Sequence, residues 1–439
     1  MTGIALIVMG MSPLPAAAAD LYVRQGAAGD GSNWTNALGA LPPTLQRGNT
    51  YYIADGVYAG YDFDTPPSGT LFITIKKATV ADHGTDSGWQ ASYGDGQAEF
   101  RSAGTVLTFS TPYWTFDGQV GSGQSGHGFK VMVTGTADAV RGIRLMAGHI
   151  TISHSEITSL NPAGLADSAK QDGIYSTAGA ATPVTLSHNY IHEWKRCAIL
   201  ASGLTGWTIE HNFVYHTYST SGAHGQAIQF GPGAVSNMTI RYNTFKDTHG
   251  TGVIVYLDNF FNDIRIYGNL FWHTGQRAAI GVNSTSQAIG STSGDTATNI
   301  KIHNNTFVGM KGRAPAPSGA IDNNGVSAGN EAYNNIWHDS VVTFSGTAHD
   351  YNSFFASGTQ TEPHAYNGSG NPFVNILTGD FRLLTNTHAG MLLPSPFNID
   401  MAGLIRGSDG NWDRGAFEFG STSTPGSLVP PTGLTATVR

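Results

Sequence analysis

Thr185-Leu-Ser-His-Asn-Tyr-Ile191 and Thr208-Ile-Glu-His-Asn-Phe-Val214 superimpose without a gap. Five more segments share the pattern: Thr151 to Ile157, Thr239 to Phe245, Arg265 to Phe271, Lys301 to Phe307 and Glu331 to Trp337. Ser155 holds the fifth position in the earliest copy, and Asn189, Asn212, Asn243, Asn269, Asn305 and Asn335 hold it in the rest. The asparagines fall 23 to 36 residues apart. That spacing is one coil of a solenoid plus insertions of variable length.

Within each copy an apolar residue points inward, a polar one outward, Asn turns the chain, and a second apolar residue points inward from the next strand. Asn tolerates a left-handed bend, and its amide can bond to the Asn one coil away. The expectation is a vertical stack of asparagines beside a stack of Ile209, Ile240, Ile266 and Ile302. A second motif interleaves, a small residue before an aliphatic one: Gly142-Ile143, Gly173-Ile174, Ala198-Ile199, Ala227-Ile228, Gly252-Val253, Ala279-Ile280 and Ala320-Ile321. Each coil then carries at least three short strands, stacked into parallel sheets. The fold class is all-β, a right-handed parallel β-helix with terminal caps.

Composition agrees. Charged residues make up only 12 % of the chain against 57 glycines, and no long stretch has helical apolar spacing. The division expected is a signal peptide over 1–19, an N-terminal cap and first coils over 20–105, β-helix repeats over 106–340, C-terminal coils and cap over 341–419, and a linker with the start of a further module over 420–439. The apolar run Ile4 to Met11 followed by Ala16 to Ala19 has the shape of an export signal, although no Lys or Arg precedes it. A secreted or cell-surface location follows as an expectation. No other apolar run approaches membrane-spanning length. Cys197 is the only cysteine, so no disulfide forms within the chain, and it reads as a small buried residue. A formal charge of −8 without a basic tract argues against nucleic acid as a partner. A monomer is expected.

The repeats, with Leu21-Tyr22-Val23 at the start and Asp413-Arg-Gly-Ala-Phe-Glu-Phe419 at the close, resemble the pectate-lyase-like superfamily of parallel β-helix proteins over approximately residues 20–417. The resemblance implies a carbohydrate-active protein.

A solenoid face repeats every ~4.8 Å, so a linear polymer laid along it meets equivalent positions on successive coils. Four residues before the aliphatic position stand Lys170, Lys195, His224, His249 and Gln276, and three before it stand Gln171, Arg196, Gly225, Gly250 and Arg277. Cations and imidazoles thus gather in one loop region of an acidic chain. The expected site has Lys195, Arg196, Lys170, His224 and Arg277 as catalytic candidates, and Asp172, Tyr175, Gln226, Gln229, His249 and Trp194 as substrate-binding ones. Tyr256 joins Trp194 as a candidate stacking surface, against the alternative that both are packing residues. A second column, Ser159, Glu193, His216, Asp247 and His273, reads as inter-coil hydrogen bonding rather than a metal site. Gly126-His127-Gly128 resembles a fragment of the polygalacturonase signature, but the paired aspartates are not found in matching coils.

The leading reading is a polysaccharide lyase acting on an acidic, uronic-acid-containing polysaccharide, because β-elimination needs one cation to neutralise the sugar carboxylate and another group to take a proton. No cofactor is expected, with calcium as the alternative that the superfamily raises. The rivals are a glycoside hydrolase or epimerase on the same fold, and a non-catalytic glycan-binding or adhesive surface protein. Hydrolysis needs two carboxyl groups across one bond.

Overall fold

The computed structural model describes residues 18–166, 168–176, 182–218, 225–248, 253–257, 260–274, 287–291, 296–310, 321–322 and 326–422. The expected export signal lies outside them up to residue 17, and the expected linker and module start lie outside them from residue 423.

One coil shows the whole plan. The strand Asp172–Ser176 lies in sheet C, Val184–Ser187 in sheet A and Tyr190–Trp194 in sheet B, and Ile199–Ala201 returns to sheet C beside the starting strand. Repetition of this path gives a right-handed parallel β-helix. Sheet A runs from Asp20–Val23 to Ala348–Asp350, sheet B from Gly56–Ala59 to Tyr366–Gly368, and sheet C from Tyr61–Phe63 to Ile321–Asp322. Among the described strands, Phe373–Asn375 and Asp380–Leu383 form an antiparallel pair outside the three sheets.

The core is columnar because strand register places like residues above like. Ile152, Leu186, Ile209, Ile240, Ile266 and Ile302 align through sheet A and are at most 2 % exposed. Inside sheet B, Phe245, Phe271, Phe307, Trp337 and Phe354 stack with centroids 4.9, 4.9, 4.8 and 5.5 Å apart. Each such side chain contributes roughly 1.5–3 kcal/mol on burial, repeated once per coil.

At the turn from sheet A to sheet B, the side-chain carbonyl of each Asn accepts from both the backbone and the amide nitrogen of the Asn one coil earlier. This holds between Asn189 and Asn212 and onward through Asn243, Asn269, Asn305, Asn335 and Asn352, at 2.8–3.1 Å. Glu362 ends the series, accepting from Asn352 at 2.6 and 3.1 Å. The left-handed residue is not the asparagine, as the sequence reading expected, but the one before it. His154, His188, His211, Tyr242, Asn304 and Asn334 all have φ between 51° and 58°, and Gly268 has φ 64°. The stacked amides repay this backbone strain by satisfying turn donors that would otherwise be buried and unpaired.

Past Gly368 the chain folds back over the outer face of sheet B. Phe373, Phe381, Phe397, Met401 and Phe417 pack there with Tyr267, Trp272, Ile336 and Phe355. Buried carboxylates hold this cap by accepting backbone N–H groups: Asp400 from Ala402, Leu404 and Glu418, and Asp413 from Thr387 and Phe419. No helix among the described residues is long and apolar enough to cross a membrane.

Candidate functional site on sheet C

The strands of sheet C begin at a corner where the chain arrives from sheet B, and the expected basic residues lie there. Asp172 opens its strand and is fully buried. Two guanidinium groups close on it. Arg196 donates to both oxygens, Nε to Oδ1 at 2.6 Å and Nη2 to Oδ2 at 2.5 Å, and Arg141 Nε stands 3.0 Å from Oδ2. The Cys197 N–H also donates to Oδ1 at 3.2 Å. Burial by itself would lower the pKa of Arg196, but the hydrogen bonds and charge of Asp172 hold it above its ordinary value. Burial lowers that of Arg141 despite the same carboxylate.

This geometry revises Asp172 and Arg196. Asp172 is the buried anchor of two arginines and does not face a ligand. Arg196, with 13 % of its side chain exposed, is committed to that anchor. Trp194 is also corrected: it is completely buried and donates from Nε1 to the Ile157 carbonyl at 3.1 Å, so it offers no stacking surface. Together with the carbonyl of the next strand, 2.7 Å from a Cβ placed on Gly142 and 2.5 Å from one on Gly173, it explains the glycine of the second motif on those two coils. A Cβ on Gly142 or Gly173 would stand 3.0 or 2.9 Å from the Trp194 indole, and also against Ile157 or Ile191.

The remaining candidates divide between floor and rim. Gln226 and Gln229 are buried, each with its Oε1 3.5 Å from Cys197 Sγ, and burial pushes that thiol up to about 12. Lys195 is buried at the turn, 5 % exposed. Lys170 is exposed, its N–H donating to Asp138 Oδ1 at 2.6 Å and its carbonyl accepting from Arg141 Nη1 at 2.5 Å. Tyr175 is half-buried on the outer face with the Arg141 guanidinium 4.4 Å from its ring centre. His224, His249, Arg277 and the Tyr256 side chain lie outside the described residues.

Strand register nonetheless corrects the column that contained His249 and Arg277. Ile228 pairs with Val255, not Val253, and Val255 pairs with Ile289. The positions equivalent to the small-aliphatic pair on those coils are therefore Ile254-Val255 and Ala288-Ile289, which removes His249, Gln276, Gly250 and Arg277 from the column. The same register brings in two residues that the sequence reading missed. Arg141 pairs with Asp172, and Arg144 pairs with Tyr175 on the outer row that continues through Leu200 and Gln229. Arg144 and Tyr175 are half-buried, whereas Leu200 and Gln229 are 9 % and 7 % exposed, so the face is open at the arginine and closes along the helix. Both arginines flank Gly142-Ile143, and tabulating every position around the motif rather than two upstream ones would have found them.

The second column is built from inter-coil hydrogen bonds where it is described. His216 Nδ1 meets Glu193 Oε1 at 2.8 Å, and Asp247 accepts from the Thr274 N–H at 2.7 Å. Among the described residues no three His, Cys, Asp or Glu side chains converge in a metal-holding group.

Comparison with known proteins adds the family. Residues 137–367 match the family described as "Right handed beta helix region", more than half of the chain, and the protein belongs to that family. Pectate lyase Pel9A is similar in structure, with a TM-score of 0.54, 14 % identity, and coverage of 92 % of this chain and 97 % of that one. An alginate lyase from Paenibacillus sp. str. FPU-7 gives 0.35 at 14 % identity, covering 73 % and 93 %. The PL6 family alginate lyase AlyGC gives 0.40 at 13 %, covering 79 % and 53 %. No curated protein matches significantly. At these identities the likeness is one of fold.

Proposed function

We propose that this protein is a secreted polysaccharide lyase that cleaves a uronic-acid-containing polymer by β-elimination at the sheet C corner. One observation carries the reading. In a chain of formal charge −8, the guanidiniums of buried Arg141 and half-buried Arg196 share the buried Asp172 carboxylate, and Arg144 and Lys170 lie on the same strands and turns, with Asp138 as the further carboxylate beside them. The surplus is positive and partly withdrawn from water, where a charge acts more strongly than at an open surface.

Elimination removes the proton beside the sugar carboxyl, forms a ring double bond and expels the glycosidic oxygen. The charge that develops spreads onto the carboxylate. Arg144 and Lys170 are the rim cations that would meet that carboxylate, Tyr175 pairs with Arg144 in strand register and lies against the Arg141 guanidinium, and Lys195, as its neutral amine, is the group assigned to take the proton and return it to the departing glycosidic oxygen. Arg196 acts at one remove, supplying field and holding the corner with Arg141 through Asp172. A hydrolase would need a free carboxyl pair, and at the corner Asp172 is closed off by arginines, so Asp138 stands there without a free partner carboxylate. The reading uses no metal, so a chelator should leave activity unchanged.

The test is incubation with alginate, pectate, glycosaminoglycans and neutral glucans, following reducing ends and ultraviolet-absorbing ends together. A lyase produces the two in equal numbers from an acidic polymer, and its binding weakens as salt is raised. Reducing ends without absorbing ends would replace the lyase by a hydrolase.

A further inference from the structure

Sheet C begins at the strand Tyr61–Phe63, and the outer row that carries Arg144 reaches that strand in two steps. Register pairs Arg144 with Thr108, and Thr108 with Asp62. Phe63 is completely buried, so its neighbour Asp62 points outward, where it is exposed beside half-buried Thr108. In the other direction the row runs through Tyr175 to the nearly buried Leu200 and Gln229. A polymer held at Arg144 therefore has its open way along the row over Thr108 and Asp62.

The two ends of this short track are opposite in charge, and neither is neutralised. Arg144 has a buried Nε without a hydrogen-bond partner, and among the described residues no carboxylate lies within ion-pair distance of its guanidinium. Asp62 accepts from the Ser110 hydroxyl at 2.7 Å, and Asp64 stands exposed two residues on. Among the described residues no cation pairs with either acid. Arg47, the buried cation beneath their loop, donates instead to the carbonyls of Thr65, Pro66 and Tyr113.

We propose that Asp62, reinforced by Asp64, selects against a uronate at the second unit from the one held by Arg144. The substrate is then a sparsely carboxylated polysaccharide, with one uronate in three or more sugars, and not a homopolyuronate or a strictly alternating chain. The inference rests on the proposed function for a sugar carboxylate at Arg144. Coils lie about 4.8 Å apart, close to the length of one pyranose unit, so a sugar at Arg144 sets the second sugar along over Asp62. Like charges about 4 Å apart repel enough to weaken binding about fivefold even in bulk water. A neutral or amino sugar meets no such repulsion, and its hydroxyl or ammonium can donate to Asp62.

Titration calorimetry of the full chain tests this with three octasaccharides: polygalacturonate, hyaluronan with alternating uronates, and deacylated gellan with a single glucuronate per tetrasaccharide repeat. The gellan octasaccharide should bind about fivefold or more tighter than the other two, by a margin that shrinks as salt is raised. Asp62→Asn should narrow the margin about fivefold, whereas Asp62→Glu and the exposed sheet B variant Arg101→Gln keep it. Equal affinities in the wild type, a margin unaltered in both Asp62→Asn and the Asp62→Asn/Asp64→Asn double variant, or no binding of any octasaccharide would overturn the selection. An Asp62-dependent margin without unsaturated products from any polymer would sink the lyase reading and leave the selection standing. Unsaturated products without that dependence would do the reverse.

Discussion

At the residue scale the sheet C corner is held by Asp172, whose carboxylate is buried beneath two arginines. Asp172→Asn keeps the shape and removes the charge, leaving two guanidiniums facing each other with one amide oxygen between them. Breaking a buried ion pair from one side costs about 3–5 kcal/mol, so a chemical denaturation midpoint should fall by a corresponding amount. An unchanged midpoint would mean that water already solvates Arg141 and Arg196. Asn243 is a comparable case in the turn column. Asn243→Leu strips the acceptor from the Asn212 backbone and amide nitrogens and the donor from the Ile209 carbonyl, and should cost about 2–4 kcal/mol in the same measurement.

At the scale of the element, the same turn that holds the asparagines carries a row of stacked, largely buried rings. His154, His188 and His211 follow one another with centroids 4.9 and 4.8 Å apart, and Tyr242 continues the row at 5.0 Å. Burial first, and then the neighbouring imidazole or charge, lowers His188 to about 4 and His211 to about 3, from an ordinary 6.5. In both, the unfolded chain binds protons that the folded chain refuses, so their stabilising contribution is complete above about pH 6.5 and is lost as pH falls toward 4 and 3. Thermal unfolding should therefore move to lower temperature between pH 7 and pH 4. His188→Asn and His211→Asn, which tolerate the left-handed backbone there, should flatten that slope. A slope unchanged in the double variant would assign the acid sensitivity elsewhere.

The contrast between these turns and sheet C shows what a single sequence discloses. The six Asn-centred segments were readable because the strand before and the strand after the bend are joined by two residues, so no insertion falls inside the pattern. Sheet C is joined to its neighbours by loops of unequal length. There Gly252-Val253 and Ala279-Ile280 imitated a motif that register assigns to Ile254-Val255 and Ala288-Ile289. Composition could not tell that Trp194 fills the space opposite Gly142 and Gly173, since an aromatic at a strand end looks alike whether it points in or out. Nor could it show that Asp172 and Arg196 satisfy each other across a coil boundary, because that pairing depends on register alone.

At the scale of the whole molecule, an acidic solenoid gathers Arg141, Arg144, Lys170 and Arg196 at one corner of one sheet, and the proposed function assigns that charge to elimination. The most direct measurement is the initial rate of appearance of ultraviolet-absorbing ends from the best acidic polymer, compared among wild type, Lys195→Ala, Arg144→Gln and the surface control Arg101→Gln. General-base and charge-stabilising groups each commonly supply about 100-fold or more. Lys195→Ala and Arg144→Gln should thus lose at least about two orders of magnitude with unfolding temperatures near wild type, while Arg101→Gln keeps its rate. Wild-type rates in both corner variants would contradict the assignment of chemistry to the sheet C corner.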